Sequence, residues 1–277
     1  MHRPIEVVAG TRHVLRFDRL DRTLHGFLML SFLGLASTGM PLLFNDAAWA
    51  GRLARLLGGF GVTHRLHRVF AGILIAVFAA HLGRLLNRVV RKGDYGIFWG
   101  PSSMVPQPKD VTDMARHIQW FLGLGPRPAF DRYTYWEKFD YWAVFWGMGI
   151  IGGSGLMLWF PEVFARLLPG WVFNIALLVH GEEALLAVGF IFTIHFFNSH
   201  LRPEKFPMDM VIFTGRVTEH ELEGERPAEY ARLSASHARV RFVSPPSRRL
   251  WLAGRIIGTT AVAVGLSLVV LIIYALL

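Results

Sequence analysis

The amino-acid sequence predicts an all-α integral membrane protein with five transmembrane helices. Apolar residues make up 53% of the 277 positions and are concentrated in blocks of about 20 or more, long enough to cross a bilayer as helices. The net charge of +9 comes from lysines and arginines that lie mostly between these blocks, as in the loops of a membrane protein. The mean hydropathy of +0.38 agrees with this class.

The five predicted spans have clear sequence boundaries. The first ends at Gly39-Met40-Pro41, where helices commonly stop. The third carries Trp and Tyr at its start and Trp159 at its end, like two aromatic belts. The fifth is almost purely apolar and is expected to be a peripheral, lipid-facing helix. The spans cover residues 24–44, 64–87, 139–160, 171–198 and 252–277.

The segments around these spans complete the domain organisation. We expect a basic N-terminal segment (1–23), amphipathic or irregular, and a four-helix membrane domain (24–198) interrupted by a polar loop (88–138). The loop contains a predicted amphipathic helix, Asp110 to Leu124. A polar segment (199–250) with strand-like pieces but no independent core precedes the fifth helix (251–277).

The composition excludes several classes of site. Cysteine is absent, which rules out disulfides, thiolate-bound iron–sulfur or zinc, and covalently attached c-type haem. The positive charge favours lipid headgroups over nucleic acid, because the cations flank apolar spans. The polar, arginine-rich first 20 residues predict no cleavable signal peptide.

Lysine and arginine counts predict the orientation. The N-terminal 22 residues contain 5, residues 88–138 contain 8 and residues 199–250 contain 9, whereas residues 45–63 contain 2 and residues 161–170 contain 1. The positive-inside rule therefore places the N-terminus in the cytoplasm and the C-terminus outside.

Histidines recur at two depths of the predicted bundle. His180 and His195 are 15 residues apart, which gives about 22 Å of rise and a similar helix face. His67 and His81 show the same arrangement in span two, 14 residues apart on a similar helix face. His25 lies near the inner end of span one. Ionisable residues inside spans indicate function, and paired imidazoles from facing helices are typical of haem ligation.

The depths predict which histidines pair. The outer pair is His67 with His180, and the inner pair is His195 with either His25 or His81. Zinc is disfavoured, because its ligands must gather within about 2 Å of one ion. A histidine-dependent proton or ion transporter is the alternative, although such proteins favour broken spans near the midplane. A redox-inert membrane anchor is a third possible function, but it does not explain the histidines inside the spans.

Other polar residues are candidates for contacts with haem propionates and with a quinone. Arginines near the membrane faces suit the anionic propionates: Arg65 and Arg68 outside, Arg22 and Arg84 inside. Quinone chemistry needs hydrogen-bonding groups near the inner haem, and the candidates there are Glu137, Lys138, Asp140, Tyr141, Asn198 and His200. No separate catalytic residue and no metal besides haem iron is predicted.

Several motifs resemble one known family. Arg22-Thr-Leu-His25 followed by Ser31-Phe-Leu-Gly-Leu-Ala-Ser-Thr-Gly39 is similar to the first helix of the formate dehydrogenase gamma / Ni,Fe-hydrogenase b-type cytochrome superfamily. His67 with Gly72, and His180 with His195, resemble its second and fourth helices. The motifs EKFDYWAVFWG (137–147), GLMLWFP (155–161) and HGEEALLA (180–187) look like a thiosulfate-reductase-like branch.

The resemblance implies a four-helix haem-binding transmembrane bundle, to which the fifth C-terminal helix is an addition. It implies two b-type haems ligated by His25–His195 and His67–His180, with His81 as the open alternative to His25 and a third haem also open. It further implies a quinone, either menaquinone or ubiquinone, near the inner haem. The partners would be redox subunits with c-type haem, Fe–S or molybdenum centres, at the inner membrane of a prokaryote.

Overall fold

The computed structural model describes residues 12–235 and 242–277. It confirms the predicted fold class: the described chain is mostly helical and has five helices long and apolar enough to cross a membrane. The protein is therefore a multi-pass membrane protein. The five spans are Arg19–Leu43, Phe60–Lys92, Tyr135–Trp159, Trp171–Leu201 and Arg248–Leu276.

Two of the spans are not uniform α-helices. Span three consists of α5 (Tyr135–Gly147), a π-helical turn (Met148–Gly152) and α6 (Gly153–Trp159). Span four consists of α8 (Trp171–Phe190) followed by two π-helical segments. Wider π turns change the rotation per residue, so the assumption of one α-helical period between His180 and His195 is wrong. The two segments of span four are Ile191–His195 and Phe197–Leu201.

The other three spans are single helices, and shorter elements connect the five. The spans are α1 (Arg19–Leu43), α3 (Phe60–Lys92) and α12 (Arg248–Leu276). The connecting helices are α2 (Ala48–Leu56), α4 (Pro108–Phe121), α7 (Pro161–Phe164), α9 (Val211–Thr214), α10 (Glu219–Glu225) and α11 (Pro227–Ala235), with a 3-10 turn at Tyr95–Ile97. The strands are β1 (His13–Leu15), β2 (Arg216–Thr218) and β3 (Phe242–Val243).

The chain divides into two compact units. One, which we call the polar unit, comprises residues 12–22, 85–142, 210–235 and 242–254 of the described chain. The other, the membrane unit, comprises residues 23–84, 143–209 and 255–277.

The core of the membrane unit contains the fifth span. Phe192 and Phe196 of span four pack in one cluster with Leu268 and Ile272 of α12, whose side chains are only 3% and 6% exposed. Gly265 permits this approach, because a Cβ there would meet the ring atoms of Phe192 at 2.6 Å. The expectation of a peripheral fifth helix is therefore wrong for this face, although the opposite face is exposed.

The polar unit has a small core that the sequence did not reveal. Its sheet has the order β2-β1-β3, and His13 pairs with both Thr218 and Val243 in antiparallel register. Apolar side chains from the N-terminal segment and from the segment before span five form one buried cluster. Its members are Val14, Val211, Val217 and Leu222. Each segment contributes only one or a few apolar side chains to this core. Taken alone, each segment therefore looks polar or irregular in sequence.

Candidate functional site

His67 and His180 face each other inside the membrane unit. The ring centroids are 6.2 Å apart and the ring planes are nearly perpendicular, at 84°. His67 comes from α3 and His180 from α8, so two spans distant in sequence supply the pair. Both side chains are half-buried.

The Nδ1 atom of His67 lies 3.0 Å from the Thr38 hydroxyl of α1. That hydroxyl already donates its hydrogen to the carbonyl of Gly34, one helical turn earlier, at 2.6 Å. The Thr38 oxygen therefore accepts from the Nδ1–H of His67. In a neutral imidazole this tautomer leaves the lone pair on Nε2.

His180 is held in the same tautomer. Its Nδ1 lies 3.0 Å from the carbonyl oxygen of Ile151 in the π turn of span three. A carbonyl can only accept, so Nδ1 carries the hydrogen and Nε2 carries the lone pair. Ser154 Oγ lies 3.3 Å from the same nitrogen and donates its own hydrogen to Ile150. Within the described chain, neither Nε2 of this pair takes part in a hydrogen bond.

Two glycines make room for the pair. A Cβ at Gly155 would stand 2.9 Å from His180 Cε1, and a Cβ at Gly39 would stand 3.0 Å from His67 Cε1. Separations this short would displace the rings. Gly149 and Gly153, in the same glycine-rich span as Gly155, have open space around them.

The separation of the two rings would suit two histidine ligands of one haem iron. Imidazoles bonded at about 2 Å through Nε2 on opposite sides of one metal ion have ring centroids roughly 6 Å apart. Metal-bound histidines also usually donate the other ring N–H to a protein acceptor, as His67 and His180 do. Within residues 12–235 and 242–277 no three His, Asp or Glu side chains could hold a metal ion together, whereas this arrangement requires only two.

A second group of histidines lies at the other end of α1. His25 lies near His195 and His200 of span four. His25 precedes Thr38 by 13 residues, so this group is roughly 20 Å along the helix from the His67–His180 pair. The ring of His81 lies 6.3 Å from that of Phe145 in span three. The structure thus brings His25 towards His195, and it brings His81 against an aromatic ring.

The surroundings of His195 and His200 differ. His195 Nε2 lies 3.5 Å from Ser199 Oγ, which donates to the backbone oxygen of His195 itself. His200 is only 7% exposed, and its Nδ1 is buried without a hydrogen-bond partner in the described chain. Its ring meets Phe196 edge-on at 6.0 Å. A buried imidazole nitrogen without a partner is costly, which marks His200 as a place where a ligand can bind.

Two of the residues predicted to contact a quinone form ion pairs with other residues of the protein. Glu137 accepts hydrogen bonds from Thr134 at 2.7 Å and from Arg226 at 2.9 Å. Lys138 is 7% exposed and forms an ion pair with Asp110 at 2.8 Å. Glu137, Lys138, Asp140 and Tyr141 belong to the polar unit, and Asn198 and His200 belong to the membrane unit.

The predicted propionate contacts have different surroundings. The guanidinium of Arg68 lies over the ring of Trp159, 5.7 Å from its centroid. Arg22 donates to the backbone oxygen of Phe213 at 2.9 Å. Arg65 is exposed and Arg84 is half-buried.

Sequence reasoning missed the residues that hold the imidazoles in place. Thr38 and Gly39 stood inside the Ala-Ser-Thr-Gly motif but had no assigned role. Span three contains several glycines, and only the structure shows that Gly155 is the one beside His180. The Ile151 carbonyl had no sequence signal. Of the acidic pair near His180, Glu183 accepts from the Trp146 indole at 3.2 Å, and Glu182 lines an apolar groove of about 560 Å³ between α8 and α12.

No protein-family model matches this chain, and no curated protein is significantly similar to it in sequence. The resemblance to b-type cytochromes therefore stays a prediction, and the geometry of the histidines is the basis for assigning a function.

Proposed function

We propose that this chain is a membrane dihaem b-type cytochrome subunit that transfers electrons between the quinone pool and a partner redox subunit. The main support for the proposal is the facing pair His67 and His180. In each ring the Nδ1–H donates a hydrogen bond to the protein, and the lone pair of Nε2 is available to bind iron. His25 and His195 form the second pair of the proposal, and His81 is the alternative to His25.

Each haem, when bound, supplies one-electron redox chemistry. The chain supplies the histidine ligands, fixes their tautomers and sets their depth in the membrane. Thr38 and the Ile151 carbonyl fix the ring orientation, and Gly39 and Gly155 keep the space beside the rings open. Arg68, Arg65, Arg22 and Arg84 are the proposed contacts for propionates.

We assign the quinone, menaquinone or ubiquinone, to the cytoplasmic side near the inner haem. His200 is the candidate contact best supported by its surroundings, because its Nδ1 is buried and has no hydrogen-bond partner in the described chain. Glu137 and Lys138 are less suited, since both are engaged in ion pairs.

The partner subunit in this proposal lies on the outer side of a prokaryotic inner membrane and carries c-type haem, Fe–S or molybdenum centres. This chain has no cysteine and so cannot supply thiolate-bound centres itself. The lysine and arginine counts favour a cytoplasmic N-terminus and an outer C-terminus.

The optical spectrum of the purified full-length chain, with a pyridine haemochrome assay, tests the proposal. We expect two b-type haems per chain. His67→Ala and His180→Ala should each lose about half of the haem, because each removes one axial ligand of one site. His64→Ala is the matched control, since His64 lies one turn from His67 and is exposed.

The inner ligand is identified in the same assay. His25→Ala should lose about half of the haem, whereas His81→Ala should keep both. The reverse result would move the ligand to His81. A colourless chain from a haem-replete host would contradict the proposal and leave a proton or ion transporter, or a redox-inert anchor, as the function to pursue.

A further inference from the structure

Helix α4 in the polar unit exposes several large apolar residues and buries two polar ones. Asp113 and His117 are 6% and 7% exposed, whereas Val111, Ile118 and Phe121 are 64%, 52% and 70% exposed. A helix on a water-soluble surface has the opposite pattern. The exposed apolar residues form one arc of about 100° at 100° per residue. They are Val111, Met114, Ile118, Phe121 and the following Leu122.

The side of α4 that carries Asp113 and His117 is buried for a structural reason. The ring of His117 is stacked between Trp120 and Trp136, with centroids 5.4 and 5.3 Å away. Its Nδ1 lies 3.1 Å from the Tyr135 hydroxyl. Asp113 forms an ion pair with Lys109 one turn earlier. The contacts of His117 with Tyr135 and Trp136 fix the rotation of the helix, so the apolar arc cannot turn inward.

The same contacts join α4 to the entry of a membrane span within one compact unit. Tyr135 and Trp136 are the first two residues of span three, and Lys138, which pairs with Asp110 of α4 at 2.8 Å, is the fourth. Phe139 and Trp142, on the next turn, are 62% and 41% exposed. The apolar arc therefore lies beside the point where the chain enters the bilayer.

The charges around α4 also favour a lipid surface. The acidic residues of this region, Asp94, Asp110, Asp113 and Asp131, are all in ion pairs with basic side chains. No acidic residue lies on the apolar arc. The exposed Arg116 lies on the side of the helix opposite the arc, so the arc carries no basic residue of α4 either.

We propose that α4 is an interfacial helix, whose arc of Val111, Met114, Ile118 and Phe121 inserts into the bilayer at the headgroup–acyl boundary. This surface is independent of the proposed electron transfer. It holds the start of span three at a fixed depth, because Asp110 and His117 on the same helix bind that start.

The absence of cysteine makes a direct test possible. Full-length Val111→Cys and Ile118→Cys variants would each carry one bimane label in phosphatidylcholine–phosphatidylglycerol nanodiscs. Thr112→Cys and Gln119→Cys are the matched controls, because they occupy exposed polar positions on the same helix. All four positions are exposed, so the substitutions leave the packing of the unit in place.

Fluorescence quenching is then compared between a nitroxide on the lipid acyl chain and aqueous iodide. We expect labels at 111 and 118 to show a lipid-to-iodide quenching ratio several-fold above that of labels at 112 and 119. Equal iodide quenching at all four positions would overturn the proposal. Protection of 111 and 118 from both quenchers would also overturn it and indicate a protein cover, either a second copy or a partner.

Discussion

The imidazoles of His67 and His180 are oriented by groups from two other helices. Thr38 lies on α1 and the Ile151 carbonyl lies in the π turn of span three. Four spans thus supply either a histidine of this pair or a group that orients it. Such outer contacts normally set the tautomer and basicity of a metal ligand, and their loss typically costs 10–100-fold in metal affinity or activity. At this scale the sequence predicts that His67 and His180 face each other, but it does not predict which hydroxyl or carbonyl holds each ring.

Gly155 provides a test of the outer site at the residue scale. Gly155→Ala places a Cβ 2.9 Å from His180 Cε1 and 3.3 Å from Nδ1, so the ring must shift from the position in which it bonds to Ile151 and faces His67. We expect the haem content to fall from two to about one per chain in the pyridine haemochrome assay. Gly153→Ala, where a Cβ meets nothing within 4 Å, should retain both haems. Full occupancy in Gly155→Ala would show that this contact does not position the ligand.

At the scale of elements, the positions of the spans are predictable from sequence and their internal geometry is not. Hydropathy placed all five spans, because blocks of about 20 apolar residues have few alternatives to a membrane helix. The π turns around Met148 and His195 have no compositional signal, so a uniform helical period misplaces the residues that follow. The inward face of α12 cannot be recognised from the sequence either. Every residue around Gly265, Leu268 and Ile272 is apolar or small, so no polar face marks the opposite side.

The packing of α12 against span four can be tested at Gly265. Gly265→Ala places a Cβ 2.6 Å from a ring atom of Phe192 and 2.7 Å from one of Phe196, an overpacking that typically costs about 1–3 kcal/mol. We expect the thermal unfolding midpoint in detergent to fall by a few °C. Gly83→Ala, with open space around it, should leave the midpoint unchanged or raise it. A rise in both variants would show that α12 packs loosely there.

At the scale of the whole molecule, the polar unit shows how far sequence reasoning reaches. Its segments are separated in the chain by membrane spans, and each is polar and lacks a periodic apolar pattern. The core forms only when strand β1 from the N-terminus lies between β2 and β3. Local patterns therefore predict α4 to within a few residues, whereas the sheet depends on contacts more than 200 residues apart, such as His13 with Thr218. The unit also contains buried ion pairs.

Glu229 is the residue that joins these segments. Its carboxylate accepts from Arg16 at 2.8 Å and from Arg132 at 3.2 Å, and the Glu229 and Arg16 side chains are only 4% and 7% exposed. Arg132 also donates to the backbone oxygen of Arg16 at 2.7 Å. One carboxylate thus neutralises guanidinium groups from two other segments of the unit. Removing one partner of a buried ion pair typically costs about 3–5 kcal/mol, because the remaining charge stays buried.

Glu229→Gln should therefore loosen the polar unit while its shape is preserved. We expect amide hydrogen exchange of α11 in the full-length protein to rise by roughly 10²- to 10³-fold, measured by mass spectrometry, as local opening becomes easier. Asp94→Asn is the control, since the Asp94–Arg88 pair is about 40% exposed and such pairs are worth less than about 1 kcal/mol. Unchanged exchange in Glu229→Gln would mean that the sheet and the apolar cluster hold the three segments without this ion pair.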